Sequence, residues 1–254
     1  MEHYSVMTFN LLSDLLHVFG PSGFAKRVPA IEHVLETYHP DIIGTQEMTY
    51  EMFPYLRHIF RYYGTFGDTR HSVVNNEYTM ILYRKDRFNL IGGKTVWLSP
   101  HPEKVGSRHA FSQFPRIVTY AYLQEKESGR IFTFANTHLD VNFRFVRKKQ
   151  AEKLCEILEE NKRGDFLCLT GDFNSNCKDT SIQTILNHGY QDLVDCSIGT
   201  TLRGKIGSTR FSHMPIDHIF LDKEPQNLQV RKAEEMIEKI IPSDHYPVCT
   251  TFDI

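Results

Sequence analysis

Phe166-Leu167-Cys168-Leu169-Thr170-Gly171-Asp172-Phe173-Asn174 is the stretch on which the fold turns. Five residues of buried-strand character run into Gly171, and two polar side chains, Asp172 and Asn174, follow two positions apart. Side chains alternate along a strand, so this spacing aims both to one side if strand geometry persists as far as Asn174. A carboxylate and an amide delivered together at the end of a rigid strand can hold a water and an oxygen of a substrate. Taken alone, Gly-Asp-x-Asn also closes a strand as an ordinary turn, because Gly, Asp and Asn are common turn formers.

Five further places repeat the event of an apolar stretch ending in polar side chains. They are Asn10, Gln46-Glu47, Asn136 with His138, Asp217-His218, and Ser243-Asp244-His245. Tertiary folding can gather all six at one edge of a sheet. Carboxylates brought together repel one another and shift their pKa values unless a cation sits among them. Glu47, Asp172, Asp244 and Asn10 offer oxygen ligands, which suit Mg²⁺ or Mn²⁺ rather than Zn²⁺. Oxygen ligands beside unliganded histidines are the ingredients of metal-assisted attack of water on phosphorus. Each group has an ordinary role when taken singly: Glu47 as a helix N-terminal acid, Asp217 as a turn former, His218 as a half-buried surface residue. All six in this order outweigh those roles.

The elements around them alternate between strand and helix. Tyr4 to Phe9 reads as a strand, followed by a helix from Val28 with Pro29 in its first turn and His39-Pro40 as its stop. Asp41 to Thr45 is a short buried strand, and a helix is expected over Tyr50 to Phe60. Strands follow at Tyr78 to Tyr83 and Phe88 to Trp97, then a loop over 99–113. A hairpin of Arg116 to Leu123 and Arg130 to Ala135 leads into Asn136-Thr137-His138-Leu139-Asp140. Helices are expected at Arg144 to Glu160 and at Ser181 to His188, the latter capped by Gly189. Strands at Ile216 to Leu221, Asn227 to Lys232 and Pro247 to Phe252 complete the chain. A unit of strand, polar end, helix, strand, polar end occurs twice, from Asn10 to Glu47 and from His138 to Asp172, which suggests two halves facing across one site. No linker or shift of composition divides residues 1–254, so one domain is expected.

Composition narrows the classes. The chain of 254 residues is 41% hydrophobic, with net charge -2 and pI ≈ 6.7, so no global basic field draws it to nucleic acid. Five scattered cysteines without a Cys-x-x-Cys pair argue against a disulfide framework or a zinc site and suit a reducing, cytoplasmic setting. No signal peptide, membrane-length apolar run or obligate protein partner is evident. No Gly-x-Ser-x-Gly or paired cysteine offers a covalent nucleophile. The basic cluster Arg144, Arg147, Lys148 and Lys149 has Glu152, Glu156 and Glu159 interleaved and reads as a solvated helix face. Tyr62, Tyr63, Phe66 and Trp97 could line a ligand site, although most such aromatics are core.

Thr8-Phe9-Asn10, Gly44-Thr45-Gln46-Glu47, Asn136 to Asp140, Gly171-Asp172-Phe173-Asn174, Ile216-Asp217-His218-Ile219 and Ser243 to Val248 together resemble the endonuclease/exonuclease/phosphatase superfamily of metal-dependent phosphoesterases. The segments Tyr78 to Phe88, Val96 to Ser99 and Phe114-Pro115-Arg116 look like its compact bacterial branch. The resemblance implies an α/β fold, a four-layered α/β/β/α sandwich of two packed mixed β-sheets. Carried over by motif, Glu47 would be the main metal ligand, with Asn10 and Asp244 close to the metal. Asp172 would activate or orient the attacking water and Asn174 would position water and phosphate. His245, oriented by Asp217, would contact the scissile phosphate, with His138 across the cleft. His218 stands where the family often has Tyr, and Leu12 where the branch commonly carries Arg; Asp14 is retained. The implied activity is Mg²⁺- or Mn²⁺-dependent hydrolysis of a phosphodiester or phosphomonoester. The substrate would be a phosphorylated small molecule or, in the alternative, DNA or RNA cut by a nuclease. An inactive scaffold on the same fold is the remaining class. The loops 62–77, 99–113 and 196–212 carry no legible substrate motif.

Overall fold

The computed structural model describes residues 1–13, 23–71, 76–203 and 213–254, so Asp14 lies outside the described residues. Two six-stranded mixed sheets pack face to face. The first sheet orders β11 (Gln226–Lys232), β12 (Val248–Asp253), β1 (His3–Asn10), β2 (Ile42–Thr49), β4 (Glu77–Arg84) and β3 (Tyr63–Phe66). The second orders β5 (Phe88–Trp97), β6 (Ile117–Glu125), β7 (Ile131–His138), β8 (Leu167–Asp172), β10 (Asp217–Leu221) and β9 (Gln191–Asp192). Helix α1 (Phe24–Tyr38) covers the first sheet; α3 (Arg144–Asn161) and α4 (Thr180–Asn187) cover the second.

Three apolar clusters fill the spaces between these four layers, and strand periodicity sorts residues among them. Met7 and Phe9 of β1 pack with Ile31, Val34 and Leu35 of α1. Leu167 and Leu169 of β8 pack with Leu154 and Leu158 of α3 and Ile182 of α4. Tyr4 and Val6 of β1 meet Phe134, Cys168 and Ile219 between the sheets. Both central strands, β1 and β8, are therefore buried on two faces, which explains their near-continuous apolar runs.

Each sheet contains one parallel pair joined by a helical crossover: β1 with β2 through α1, and β7 with β8 through α3. This is the physical basis of the repeated unit in the sequence. In both pairs the polar residues stand at the C-terminal strand ends, Asn10 opposite Gln46 and His138 opposite Asp172. Clefts beyond such ends are where open α/β sheets bind ligands.

Several boundaries differ from expectation. Helix α1 begins at Phe24, one turn early, and Pro29 lies inside it rather than in its first turn. His39 then ends it with φ 44. The helix expected over Tyr50 to Phe60 is a 3-10 helix, Tyr50–Leu56, and a single turn, α2 (Ile59–Tyr62), because Pro54 removes an amide donor. The short strands β3 and β9 have no alternating signal long enough to read. Cys177 and Cys196 are joined in a disulfide, their Cα atoms 6.4 Å apart, whereas the scattered cysteines argued against a disulfide framework; Cys155, Cys168 and Cys249 are free and buried. Folding brings together two cysteines 19 positions apart that show no motif. Cysteine usage therefore gives no support to a reducing compartment. No helix among the described residues is long and apolar enough to cross a membrane.

Candidate active site

The face shared by the two sheets changes character along its length. On β8, Cys168 belongs to the apolar cluster between the sheets, and Thr170 and Asp172 continue the same face. Phe134 gives way likewise to Asn136 and His138 on β7, and Val6 to Thr8 and Asn10 on β1. Asp217 opens β10 directly opposite Asp172. A polar floor lies beneath these ends. Gln46 Nε2 donates to Thr8 Oγ1 at 3.1 Å and across the sheets to Asn136 Oδ1 at 2.7 Å. Asn136 Nδ2 donates back to the Thr45 carbonyl at 2.7 Å. Gly44 is required here, since a Cβ would stand 2.0 Å from Thr170 Oγ1 and 2.6 Å from Asn136 Oδ1.

Above this floor, Asn10 Nδ2 donates to Glu47 Oε1 at 3.1 Å and to Asp172 Oδ2 at 3.0 Å. Glu47 is aimed there by a bulge: the register of β2 against β4 shifts between Thr45 and Met48, and Glu47 itself has φ 61. Its other oxygen accepts from the Ser13 amide at 2.9 Å. Asp244 sits beside His245, and burial, resisted by His245 and reinforced by the Glu47 charge, pushes its carboxyl up.

The two histidines are in opposite states. His245 Nδ1 is 2.8 Å from Asp217 Oδ2, and its Nε2 is 3.7 Å from Asp172 Oδ2. Burial alone would discharge it, but Asp217 and Asp172 outweigh burial and push it up to about 10. His138 Nε2 lies 3.6 Å from the same Asp172 oxygen. Burial, with Arg116 and Arg70 adding, holds His138 well below the ordinary histidine range, so it is neutral. Asp172 is pushed up to about 7 by burial, against the pull of His245 and with Asp217 adding. Environments that drive like groups apart are the usual mark of assigned acid and base roles.

Asn174 reaches the cluster by another route than strand periodicity. The strand ends at Asp172, and Asn174 turns left-handed with φ 48. Its amide N–H donates to Asp172 Oδ1 at 2.9 Å and its Nδ2 to the Leu139 carbonyl at 3.1 Å. Asp140 is structural: its carboxylate accepts from the Asn142 and Phe143 amides and from Ser112 Oγ at 2.6 Å. His218 is not a surface residue but fully buried.

Residues 7–245 match the model of the Endonuclease/Exonuclease/phosphatase family. The chain belongs to that family. It is 25% identical over 249 residues to the uncharacterized protein L388 of Acanthamoeba polyphaga mimivirus, covering 90% of this chain and 91% of that one. A family protein of Bacteroides thetaiotaomicron superposes with TM-score 0.84 at 24% identity, covering 100% of this chain and 99% of that one. A mannosyl-6-phosphatase of the same organism superposes with TM-score 0.82 at 25% identity, covering 99% and 100%. Members of the endonuclease/exonuclease/phosphatase family are hydrolases of phosphoester bonds and use metal ions.

The donor set suits such an ion in this family member. Glu47 and Asp172 share the Asn10 amide, the Glu47 charge acts on Asp244, and repulsion among these acids is what a hard divalent cation relieves. A second grouping, Asp172, Asp217 and His245, has ligand atoms within 4.8 Å of one another. An ion at that second grouping would need His245 to give up its proton.

Several contributors carry no readable signal. Arg27, 1% exposed, donates to the carbonyls of Leu11 and Pro242 through Nη1 and of Leu12 through Nη2, at 2.6 to 2.7 Å. It thereby ties the loop after Asn10 to the loop before Asp244. Arg116 and Arg70 flank His138, and all three line a cavity of about 10 Å³. Arg70 pairs with Glu77 at 2.8 Å. Arg116 is 5% exposed, and its Nε meets no hydrogen-bond partner among the described residues. The motif Phe114-Pro115-Arg116 marked the position without a role. Of the aromatics that could line a ligand site, Trp97 is buried with Nε1 on the Arg70 carbonyl, and Tyr63 bonds the Pro40 carbonyl. A groove of about 730 Å³ is lined by Tyr62 and Tyr63, with Glu32, His39 and Arg84, and contains none of the candidate catalytic or metal-ligating residues.

Proposed function

We propose that this protein is a Mg²⁺- or Mn²⁺-dependent phosphoesterase that hydrolyses a phosphodiester or phosphomonoester by direct attack of water, with residues 1–254 forming one catalytic domain. The observation that carries it is the Asp172 carboxylate, which accepts from Asn10 of the opposite sheet and lies 3.6 and 3.7 Å from a neutral and a protonated histidine. Asp172 takes the proton of the attacking water, and Asn174 orients water and phosphate. His245, charged and oriented by Asp217, donates to the phosphoryl group as negative charge grows there. His138 contacts it from the other side, with the Arg116 and Arg70 charges behind. A divalent cation held by Glu47, Asn10 and Asp244 would add positive charge at the phosphoryl oxygens and leaving group.

A nuclease acting on long strands calls for a basic track. Here Arg144 pairs with Asp179 at 2.5 Å, Lys149 with Glu152 at 2.9 Å, and Arg147 is turned inward onto Ser175. This favours a compact phosphate ester, as does likeness to a sugar phosphatase. An inactive scaffold is disfavoured because all eight candidate positions are intact.

The test is hydrolysis of an aryl phosphodiester, an aryl phosphomonoester, mannose 6-phosphate, single-stranded RNA and supercoiled plasmid, by wild type and Asp172→Asn. Turnover of at least one that needs Mg²⁺ or Mn²⁺ and is lost in Asp172→Asn is expected. Turnover that survives both EDTA and the substitution would sink the mechanism.

A further inference from the structure

The bulkiest of the fully buried side chains among the described residues is a cation, Arg27. A guanidinium taken out of water is costly unless its donors are met. Here they meet backbone oxygens: Nη1 donates to the Leu11 carbonyl at 2.6 Å and the Pro242 carbonyl at 2.7 Å, and Nη2 to the Leu12 carbonyl at 2.6 Å. The base of this clamp is rigid. Arg27 stands in the first turn of α1 with its guanidinium 5.2 Å from the Phe24 ring centre, and α1 packs onto β1 through Ile31, Val34 and Leu35.

Two of the three carbonyls belong to the loop that aims Asn10 and Glu47. The Leu12 amide N–H donates to Asn10 Oδ1 at 3.0 Å, which turns Asn10 Nδ2 towards Glu47 and Asp172. The next amide, that of Ser13, donates to Glu47 Oε2 at 2.9 Å. Leu12 is left-handed between them, φ 55, a conformation that leucine rarely adopts and that persists where the surroundings over-determine it. Arg27 supplies that restraint by holding the carbonyls of Leu11 and Leu12.

The third carbonyl, of Pro242, opens Ser243-Asp244-His245, a turn closed by the His245 N–H donating to Ser243 Oγ at 3.1 Å. One planar fork therefore sets the distance between the loop behind Asn10 and Glu47 and the loop that carries Asp244.

We propose that Arg27 is a positioning residue for the divalent cation: it fixes the spacing of Asn10 and Glu47 against Asp244, and with it the affinity for Mg²⁺ or Mn²⁺. This rests on the metal-dependent phosphoesterase reading and adds a residue that acts through three backbone carbonyls.

The test separates metal affinity from stability and from turnover. Calorimetry with Mg²⁺ and with Mn²⁺ compares wild type, Arg27→Lys, Arg27→Met and Arg87→Met, at a temperature where circular dichroism shows each protein folded. Arg87 bonds Asp41, Glu125 and the His3 carbonyl at the opposite strand ends, so its loss destabilises without reaching the site. Kd is expected to rise about tenfold or more in Arg27→Met. The rise is smaller in Arg27→Lys, which keeps the charge and loses the two-nitrogen fork. Kd stays at the wild-type value in Arg87→Met. Turnover by the Arg27 variants falls at low Mg²⁺ and recovers at saturating Mg²⁺; where wild type hydrolyses none of the esters, Kd alone decides.

A merely structural Arg27 lowers Tm and leaves Kd unmoved, and that result overturns the proposal. So does an equal rise of Kd in Arg87→Met, a loss of turnover that saturating metal does not recover, or failure of both Arg27 variants to fold. Wild type that binds metal and hydrolyses an ester, with Arg27 variants binding as tightly, removes the clamp alone. Wild type that binds neither ion removes the metal-dependent reading with it.

Discussion

Asn10 and Asp172 come from different sheets, and the side-chain amide of the first donates to the carboxylate of the second at 3.0 Å. The same nitrogen donates to Glu47 at 3.1 Å, so one amide holds two acids that would otherwise repel. Asn10 is 1% exposed, and its loss leaves two acceptors short of a donor. Asn10→Ala should cost about 1–3 kcal/mol of stability in urea melts and lower kcat about 100-fold. An unchanged kcat would remove Asn10 from the site's organisation.

The metal can be assigned by stability as well as by activity. A cation that binds only the folded state raises Tm, by the equivalent of about 2.7 kcal/mol at a hundred times its Kd. Mg²⁺ should raise the Tm of wild type and of Asp217→Asn, but not that of Glu47→Gln or Asp244→Asn. The reverse pattern would move the ion to the Asp172, Asp217 and His245 grouping.

The rate should depend on pH at both ends. As the proposed base, Asp172 must be ionised to accept a proton, and burial pushes it up to about 7, so kcat/KM rises with pH through neutrality in limiting metal. In its proposed role His245 must stay protonated; burial opposes this, but Asp217 and Asp172 push it up to about 10, so the rate falls above that value. Saturating Mg²⁺ favours the carboxylate and moves the acid limb to lower pH. A profile flat from about pH 5 to 9 in limiting metal would exclude Asp172 as the base.

His218 places a charge in the core beside the site. Nε2 meets the Ser175 carbonyl at 2.9 Å and Nδ1 meets Asp192 at 2.7 Å, so both nitrogens face acceptors and the ring is an imidazolium. Burial alone would lower its pKa, yet Asp192 and the Ser175 carbonyl carry it above the ordinary value. With the folded pKa raised, the stabilisation is complete below the unfolded value of about 6.5 and fades as pH rises through the folded one. Asp192→Asn should therefore cost about 3 kcal/mol in urea melts near pH 6 and progressively less at alkaline pH. A cost that is the same at both pH values would show that His218 is neutral.

The strand before Asp172, the helix over 144–160 and the order of the six polar strand ends were legible because they depend on local periodicity. Leu167 and Leu169 alternate with Cys168 and Thr170 whatever lies above them, and Leu154 and Leu158 mark one helix face by spacing alone. The resemblance carried by the motifs supplied the two-sheet architecture, and the repeated unit became one crossover in each sheet.

What tertiary structure decided depends on remote partners. Nothing local says that Glu47 turns inward on a bulge, that Asn174 leaves the strand through a left-handed turn, or that Arg27 bonds a carbonyl 215 positions away. Arg116 gains its meaning only beside His138. By itself the sequence determined which side chains could do phosphoryl chemistry and the strands that carry them. Only the packing of one sheet on the other decided their distances and charges, because burial, shared hydrogen bonds and neighbouring charges exist only once distant segments meet.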